Sequence, residues 1–346
     1  DRLRLYGSRD RYWIEDGYAE AVFLHSLGNT RLKPERSKEL EAGFDADLLD
    51  DRLTLGVTAY RKTTEDALLR VPVAPSVYGT GVTRMMNIGV VRNSGIEITA
   101  GLEPIRSDAV TWRTQVHFSR NRNLVVELGP GVEPFYTQVR SYMGDQMSGI
   151  RVAPGYPLFG RWARPVLGYA DANGDGVLDR SEIVYGDTMV YVGGTLPDYS
   201  ASLHSTFVFF RGALSVTTGW LYESGSTQIN EVTRRLAPFS RGWNDPSAPL
   251  ADQLPVFDVS EFSWIQTTNS LRLNTLSVTY QLPTGLASRL GARAMSLSVQ
   301  GTNLALWTNY TGMDPNVNVR VVGTNVADTG ILPTPRSWQI KLNASY

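Results

Sequence analysis

The densest chemistry in this sequence lies in twelve residues, Asp171-Ala172-Asn173-Gly174-Asp175-Gly176-Val177-Leu178-Asp179-Arg180-Ser181-Glu182. Side-chain oxygens stand at positions 1, 3, 5, 9 and 12 of the stretch, and position 7 offers a backbone carbonyl. At that spacing Asp171, Asn173, Asp175, the carbonyl of Val177, Asp179 and Glu182 can surround a calcium ion at about 2.3–2.6 Å. Gly176 supplies the sharp turn such a loop needs. Four acids this close repel one another unless a cation sits among them. The alternative is an acidic, solvated, Asx-rich turn without metal. Arg164-Pro165-Val166-Leu167-Gly168 ahead of it cannot form an entering helix. Calcium here would therefore pin a surface loop and not open a helix pair.

Little else in the chain is reactive. The three histidines, His25, His117 and His204, lack metal-ligand spacing, and His117 and His204 read as polar residues on strands. There is no Gly-x-Ser-x-Gly elbow, no phosphate-binding glycine loop and no distinguished carboxylate pair. Trp162, Trp243 and Trp307 lie in or beside long connections, where they could stack on a sugar or peptide or anchor the chain at a membrane interface. With no cysteine there is neither a disulfide framework nor a thiolate metal site.

The elements around the acidic stretch are strands. From Ser337 to Tyr346 the pattern alternates strictly: Trp338, Ile340, Leu342, Ala344 and Tyr346 leave one face, Gln339, Lys341, Asn343 and Ser345 the other. The length suits a tilted strand crossing a bilayer, about 9–11 residues. The same alternation predicts strands from about Glu39 to Leu48, from Leu53 to about Leu68, and around Ile96–Leu102 and Trp112–Ser119. It continues at about Asp198–Phe210, Leu214–Tyr222, Leu276–Leu282 and Met295–Gln300. Residues 1–38 read as a mixed stretch of loop and strand leading into these.

The connections alternate short and long along the chain, the long ones falling at about 69–92, 129–197, 225–269 and 308–336. In an antiparallel meander this puts every long connection at one end. Outer-membrane barrels have short periplasmic turns and long extracellular loops, whereas Greek-key sandwiches mix lengths at both ends. No apolar run reaches the 18 or so residues of a membrane helix. Slightly negative hydropathy is expected where only alternate residues face lipid. A formal charge of −1 gives no reason to expect a nucleic-acid partner. About nine strands, an unpaired edge at the first of them and a start without methionine or signal peptide suit the closing part of a larger barrel.

Several segments resemble one family in order. Leu32-Lys33-Pro34-Glu35 through Gly43-Phe44, Asn87-Ile88-Gly89 through Gly95-Ile96-Glu97, Leu196-Pro197-Asp198-Tyr199, and Leu271-Arg272-Leu273-Asn274 belong to this set. So do Gly301-Thr302-Asn303-Leu304, Trp307-Thr308, Gly312-Met313-Asp314-Pro315, Pro335-Arg336 and the final aromatic. Over about residues 30 to 346 the chain resembles the C-terminal part of a SusC/RagA-type TonB-linked outer-membrane transporter. The resemblance implies an all-β, antiparallel transmembrane barrel of about 22 strands closed by a plug, of which this chain is roughly the last nine or ten. It also implies import of oligosaccharide or peptide, energy delivered through TonB by the family's N-terminal region, a SusD-like surface lipoprotein over the loops, and no enzymatic activity. The competing readings are a secreted, calcium-stabilised β-sandwich that binds carbohydrate, and a barrel enzyme needing a Ser/His or Asp/His pair near the loops.

Overall fold

The computed structural model describes residues 5–14, 17–78, 81–236, 245–317, 328 and 330–346, without the side chains of 5–23, 25 and 75. The side chain of His25 and all of Trp243 lie outside the described residues. Its centre is one nine-stranded antiparallel sheet. In chain order the first elements are β1 (Leu5–Ile14), β2 (Gly17–Leu27), β3 (Arg36–Leu48), β4 (Leu53–Glu65), β5 (Leu68–Pro72), β6 (Thr83–Asn87), β7 (Gly89–Arg106) and β8 (Val110–Leu128). The next are β9 (Phe135–Tyr142), β10 (Asp145–Val152), β11 (Gly160–Ala163), β12 (Val166–Tyr169), β13 (Ile183–Tyr185), β14 (Val190–Gly194), β15 (Tyr199–Phe209) and β16 (Leu214–Ile229). The last are β17 (Ile265–Gln281), β18 (Ala294–Thr308) and β19 (Ser337–Ser345). Helices are short: α1 (Pro75–Tyr78), α2 (Glu231–Leu236), α3 (Leu250–Phe257) and α4 (Thr284–Arg289).

The large sheet runs β19-β18-β17-β16-β15-β8-β7-β4-β3, the strands the alternation picks out and no others. Register carries one apolar face across it. Phe44 opposes Val57, which opposes Ile98, which opposes Phe118. Farther along, Phe207 opposes Val216, which opposes Val278, which opposes Val299, which opposes Ile340. Among the described residues nothing covers this face: Phe44, Ile340 and Trp338 are 57%, 74% and 63% exposed. Among the described residues, the buried apolar clusters, one around Ile88, Val125 and Val152 and one around Ile229 and Trp264, lie instead where the loop ends of β7, β8 and β16 meet the connections. A sandwich would bury the sheet face against a second sheet; here it is bare. Leu271 to Tyr280 on β17 rise about 3.3 Å per residue and, tilted about 40°, cover about 23 Å, close to the height of a barrel's apolar band. The opposite face is polar, with Glu97, Thr99, His117, Ser119 and Ser200 in neighbouring strands.

Short links join β3 to β4, β7 to β8 and β15 to β16, and a fourth link contains α4. All the long connections and the N-terminal end of β19 lie at the other end. The sheet is not closed: β3 and β19 each have one neighbour. Residues 5–14 and 17–27, within the stretch that reads as loop or strand, pair as β1 and β2, and their charged residues hide the alternation. The connection at 129–197 builds a sheet of its own, β14-β11-β10-β9, and the pair β12-β13. The barrel strands also run farther toward the loop end than the alternation shows. There both faces meet water or folded loops, so the hydrogen-bonded ladder continues after the apolar period has stopped.

If the apolar face meets lipid, an arginine there costs far more than one on the polar face. For the full protein in lipid vesicles, Leu276→Arg is expected to lower unfolding stability by about 2–4 kcal/mol, and Ser277→Arg by less than about 1 kcal/mol. Denaturant titration followed by tryptophan fluorescence measures both, and equal losses would contradict the assignment of faces.

Candidate functional site in the loop assembly

The long connections are not independent. Their described parts fold onto one another at one end of the large sheet. The link between 129–197 and 230–264 is ionic and buried. Glu231 at the start of α2 accepts hydrogen bonds from Arg234 at 2.6 Å and Arg235 at 2.8 Å. Arg140 on β9 reaches Glu261 at 2.9 Å and Glu231 at 3.5 Å, and Ser148 on β10 donates to Glu261 at 2.8 Å. The arginines hold the Glu231 carboxyl down to about 2 against the opposing effect of burial. Glu261 moves the other way, because burial outweighs Arg140 and Ser148.

A second stitch is neutral. Gln253 on α3, fully buried, accepts from the Leu178 N–H at 2.7 Å and donates to the Gly176 carbonyl at 3.0 Å and the Ala248 carbonyl at 2.9 Å. Tyr185 completes the join by accepting from the Val259 N–H at 3.1 Å. One buried amide thus ties α3 to the acidic stretch.

In that stretch Asp171 accepts the N–H groups of Gly174 at 2.7 Å, Asp175 at 3.2 Å and Gly176 at 2.8 Å. Asn173 accepts from the Asp175 N–H at 2.9 Å, and Asp175 from the Val177 N–H at 2.8 Å. Asp179 caps a single 3-10 turn, and Glu182 returns to the N–H groups of Ala172 at 2.8 Å and Asp179 at 3.0 Å. Gly176 has φ 81°, as its turn requires, and Pro246 lies 2.8 Å from where a β-carbon would stand. The donor types suit calcium. However, among the described residues no three acidic or histidine side chains converge on one metal-sized point. Backbone amides occupy the carboxylates instead.

The last connection returns to the polar face. Arg272 on β17 binds both oxygens of Asp314, at 2.6 and 2.7 Å, and Gln228 donates to the Pro315 carbonyl at 2.9 Å. Asn316 donates to Glu223 at 2.8 Å. These contacts hold residues 314–316 over β16 and β17, within the polar concavity. Above β15, Tyr156, Trp162 and Tyr191 form an aromatic cluster with ring centres 4.7–5.9 Å apart, and Arg151 lies 4.9 Å over Trp162. Tyr156 and Tyr191 border a cavity of about 540 Å³ between β8 and the 155–159 and 194–199 segments.

Trp162 is buried and unavailable for stacking on cargo, whereas Trp307 is 53% exposed and stacks with Trp220 at 5.9 Å on the apolar face. His117 lies on the polar face with Thr99 at 3.1 Å from Nδ1, and His204 lines a polar groove with Gln115 and Thr206. Sequence reasoning missed the Glu231–Glu261 cluster, although Glu231-x-x-Arg234-Arg235 is a legible helical ion-pair spacing. It also missed the pairing of Arg272 with Asp314, which no local pattern joins.

The ionic latch has a definite pH response. Because Glu231 titrates below its ordinary value of 4.5, its contribution is complete above that pH and fades as pH falls toward about 2. In the full protein, Glu231→Ala should reduce hydrogen-exchange protection in β9, β10 and α2 by about 3 kcal/mol at pH 7. Unchanged protection would show that the two connections hold together without it.

Comparison with known proteins agrees with this architecture. Residues 5–304 match the family model described as TonB dependent receptor-like, beta-barrel. TonB-dependent receptor P3 of Formosa agariphila is 26% identical over 96% of this chain and 36% of its own length. TonB-dependent receptor SusC of Bacteroides thetaiotaomicron is 31% identical over 31% of this chain and 11% of its own. A solved structure of the RagAB peptide transporter superposes with a TM-score of 0.75 at 17% identity, covering 100% of this chain and 39% of that one. The chain thus spans little more than a third of the relatives it matches over most of its length. The chain belongs to the TonB-dependent receptor-like β-barrel family.

Proposed function

We propose that these residues form the closing wall and loop surface of an outer-membrane importer for large nutrients, oligosaccharide or peptide, energised through TonB. The observation that carries the reading is a single sheet with a bare apolar face, a polar concave face and all its long connections folded together at one end. The apolar face meets lipid, and the polar face borders the path of cargo. The latch residues Arg140, Glu231 and Glu261 keep the loop surface assembled, and Arg272 with Asp314 positions the last connection inside the concavity. No step breaks or makes a covalent bond in the cargo. TonB acts through a part of the protein outside these residues, and a SusD-like surface lipoprotein covers the loop end. Peptide cargo draws some support from the fold shared with the RagAB peptide transporter, but that likeness does not select it over oligosaccharide.

Deleting the gene, or the cell's TonB, should abolish uptake of fluorescently labelled oligosaccharide or peptide larger than a porin passes. Full retention of uptake of both classes would overturn the proposal. Detergent extraction from the outer membrane should bring down a surface lipoprotein in equal amount.

Calcium in the Asp171–Glu182 loop is a separate part of the reading. The donor set of Asp171, Asn173, Asp175, Val177, Asp179 and Glu182 supports one weak site, with affinity of about 0.1–1 mM, as in extracellular modules. Isothermal titration of the full protein should show one calcium ion, lost in Asp175→Asn with Glu182→Gln. No binding up to about 10 mM would sink it.

A further inference from the structure

Just beyond the apolar band, on the loop side, the outward face of β4, β7 and β8 turns basic. Arg61, Ser94 and Arg122 oppose one another in one row across these strands. Arg120 lies one outward position nearer the apolar band than Arg122, and Arg92 one position farther than Ser94. These residues continue the face of Val57, Ile98 and Phe118. Neighbouring cations on β3 and β4 are neutralised: Lys38 meets Glu65 at 2.6 Å, and Lys62 meets Glu39 at 3.7 Å. Arg61, Arg92, Arg120 and Arg122 have no carboxylate at ion-pair distance among the described residues.

The patch has a wall and a recess. Arg120 stacks over the ring of Tyr199 at 5.4 Å, and Arg120 and Arg122 line the 540 Å³ cavity with Tyr156 and Tyr191. Asp198 shares that wall, but its carboxylate rests against Gly225. With strands about 4.8 Å apart, Arg61 and Arg122 are about 10 Å apart, so their long side chains can converge on one phosphate group. Guanidinium forks match phosphate geometry, and unpaired cations beside a lipid-facing surface attract anionic headgroups.

We propose that this patch binds the phosphorylated headgroup of an outer-leaflet lipid, with Arg61, Arg120 and Arg122 on the phosphate and the tyrosines against the sugar or glycerol. The occupant is a lipid because the patch continues the bare apolar face, so acyl chains lie along Phe118, Ile98 and Val57 while the headgroup meets the arginines. The inference rests on that face being the lipid face.

The test uses the full-length protein in detergent and native mass spectrometry, with a bis-phosphorylated disaccharide lipid and the same lipid stripped of phosphate. Wild type should retain the phosphorylated form selectively. Arg61→Gln with Arg120→Gln and Arg122→Gln should weaken retention on the order of a hundredfold. The three Arg→Lys changes should keep most of it, and Arg211→Gln, at the opposite end of the barrel, should change nothing. Heat-modifiable migration on gels checks that each variant is folded. Equal retention of both lipids, no loss in the triple glutamine variant, or displacement of the lipid by millimolar inorganic phosphate would each overturn the proposal. Recovery of the protein without detergent would instead overturn the membrane reading beneath it.

Discussion

The constraint that organises this chain is that hydrocarbon offers no partner to a backbone N–H or C=O. Strands can cross a membrane only if each pairs with neighbours on both sides. The nine-stranded ladder meets that demand for its interior strands. Only then can the side chains divide, one apolar face outward and one polar face inward. The bare face spanning Phe44, Val278 and Ile340 is the kind of apolar surface that marks a protein or membrane contact.

At the loop end the same demand is met differently. Water is present, so polar groups need not pair with a ladder, yet the connections are too long to stay ordered on backbone contacts alone. The chain orders them with a few buried polar side chains. Glu231 and Glu261 gather arginines from two connections, Gln253 joins α3 to the acidic stretch, and Arg272 holds Asp314. Glu231, Glu261, Gln253, Arg272 and Asp314 are themselves buried, which makes the arrangement specific. A misplaced loop would leave a charge or an amide unpaired, at a cost of a few kcal/mol.

The strands were legible because their environment alternates. Trp338, Ile340 and Leu342 read as one face because lipid selects every second residue, and all nine barrel strands were found this way. Where that selection ends, legibility ends. Residues 89–95 and 121–128 continue β7 and β8 without an apolar period, and β9 to β11 hide in a segment rich in glycine and polar residues. The acidic stretch offers calcium-type ligands by spacing alone, and spacing could not show that backbone amides would take up the carboxylates. Arg272 and Asp314 each stood in a segment used for the family resemblance. Their contact across 42 residues is a product of the fold.

The central claim is the division of faces, and one measurement addresses it directly. These residues contain no cysteine, so a nitroxide can be attached at single introduced cysteines from Asn274 to Gln281 on β17 and the full protein reconstituted in vesicles. The account predicts that collisions with oxygen dissolved in the bilayer peak at 276, 278 and 280. Collisions with a water-soluble nickel complex should be highest at 277 and 279. A flat profile, or labels at 276, 278 and 280 shielded from both reagents by protein, would contradict it.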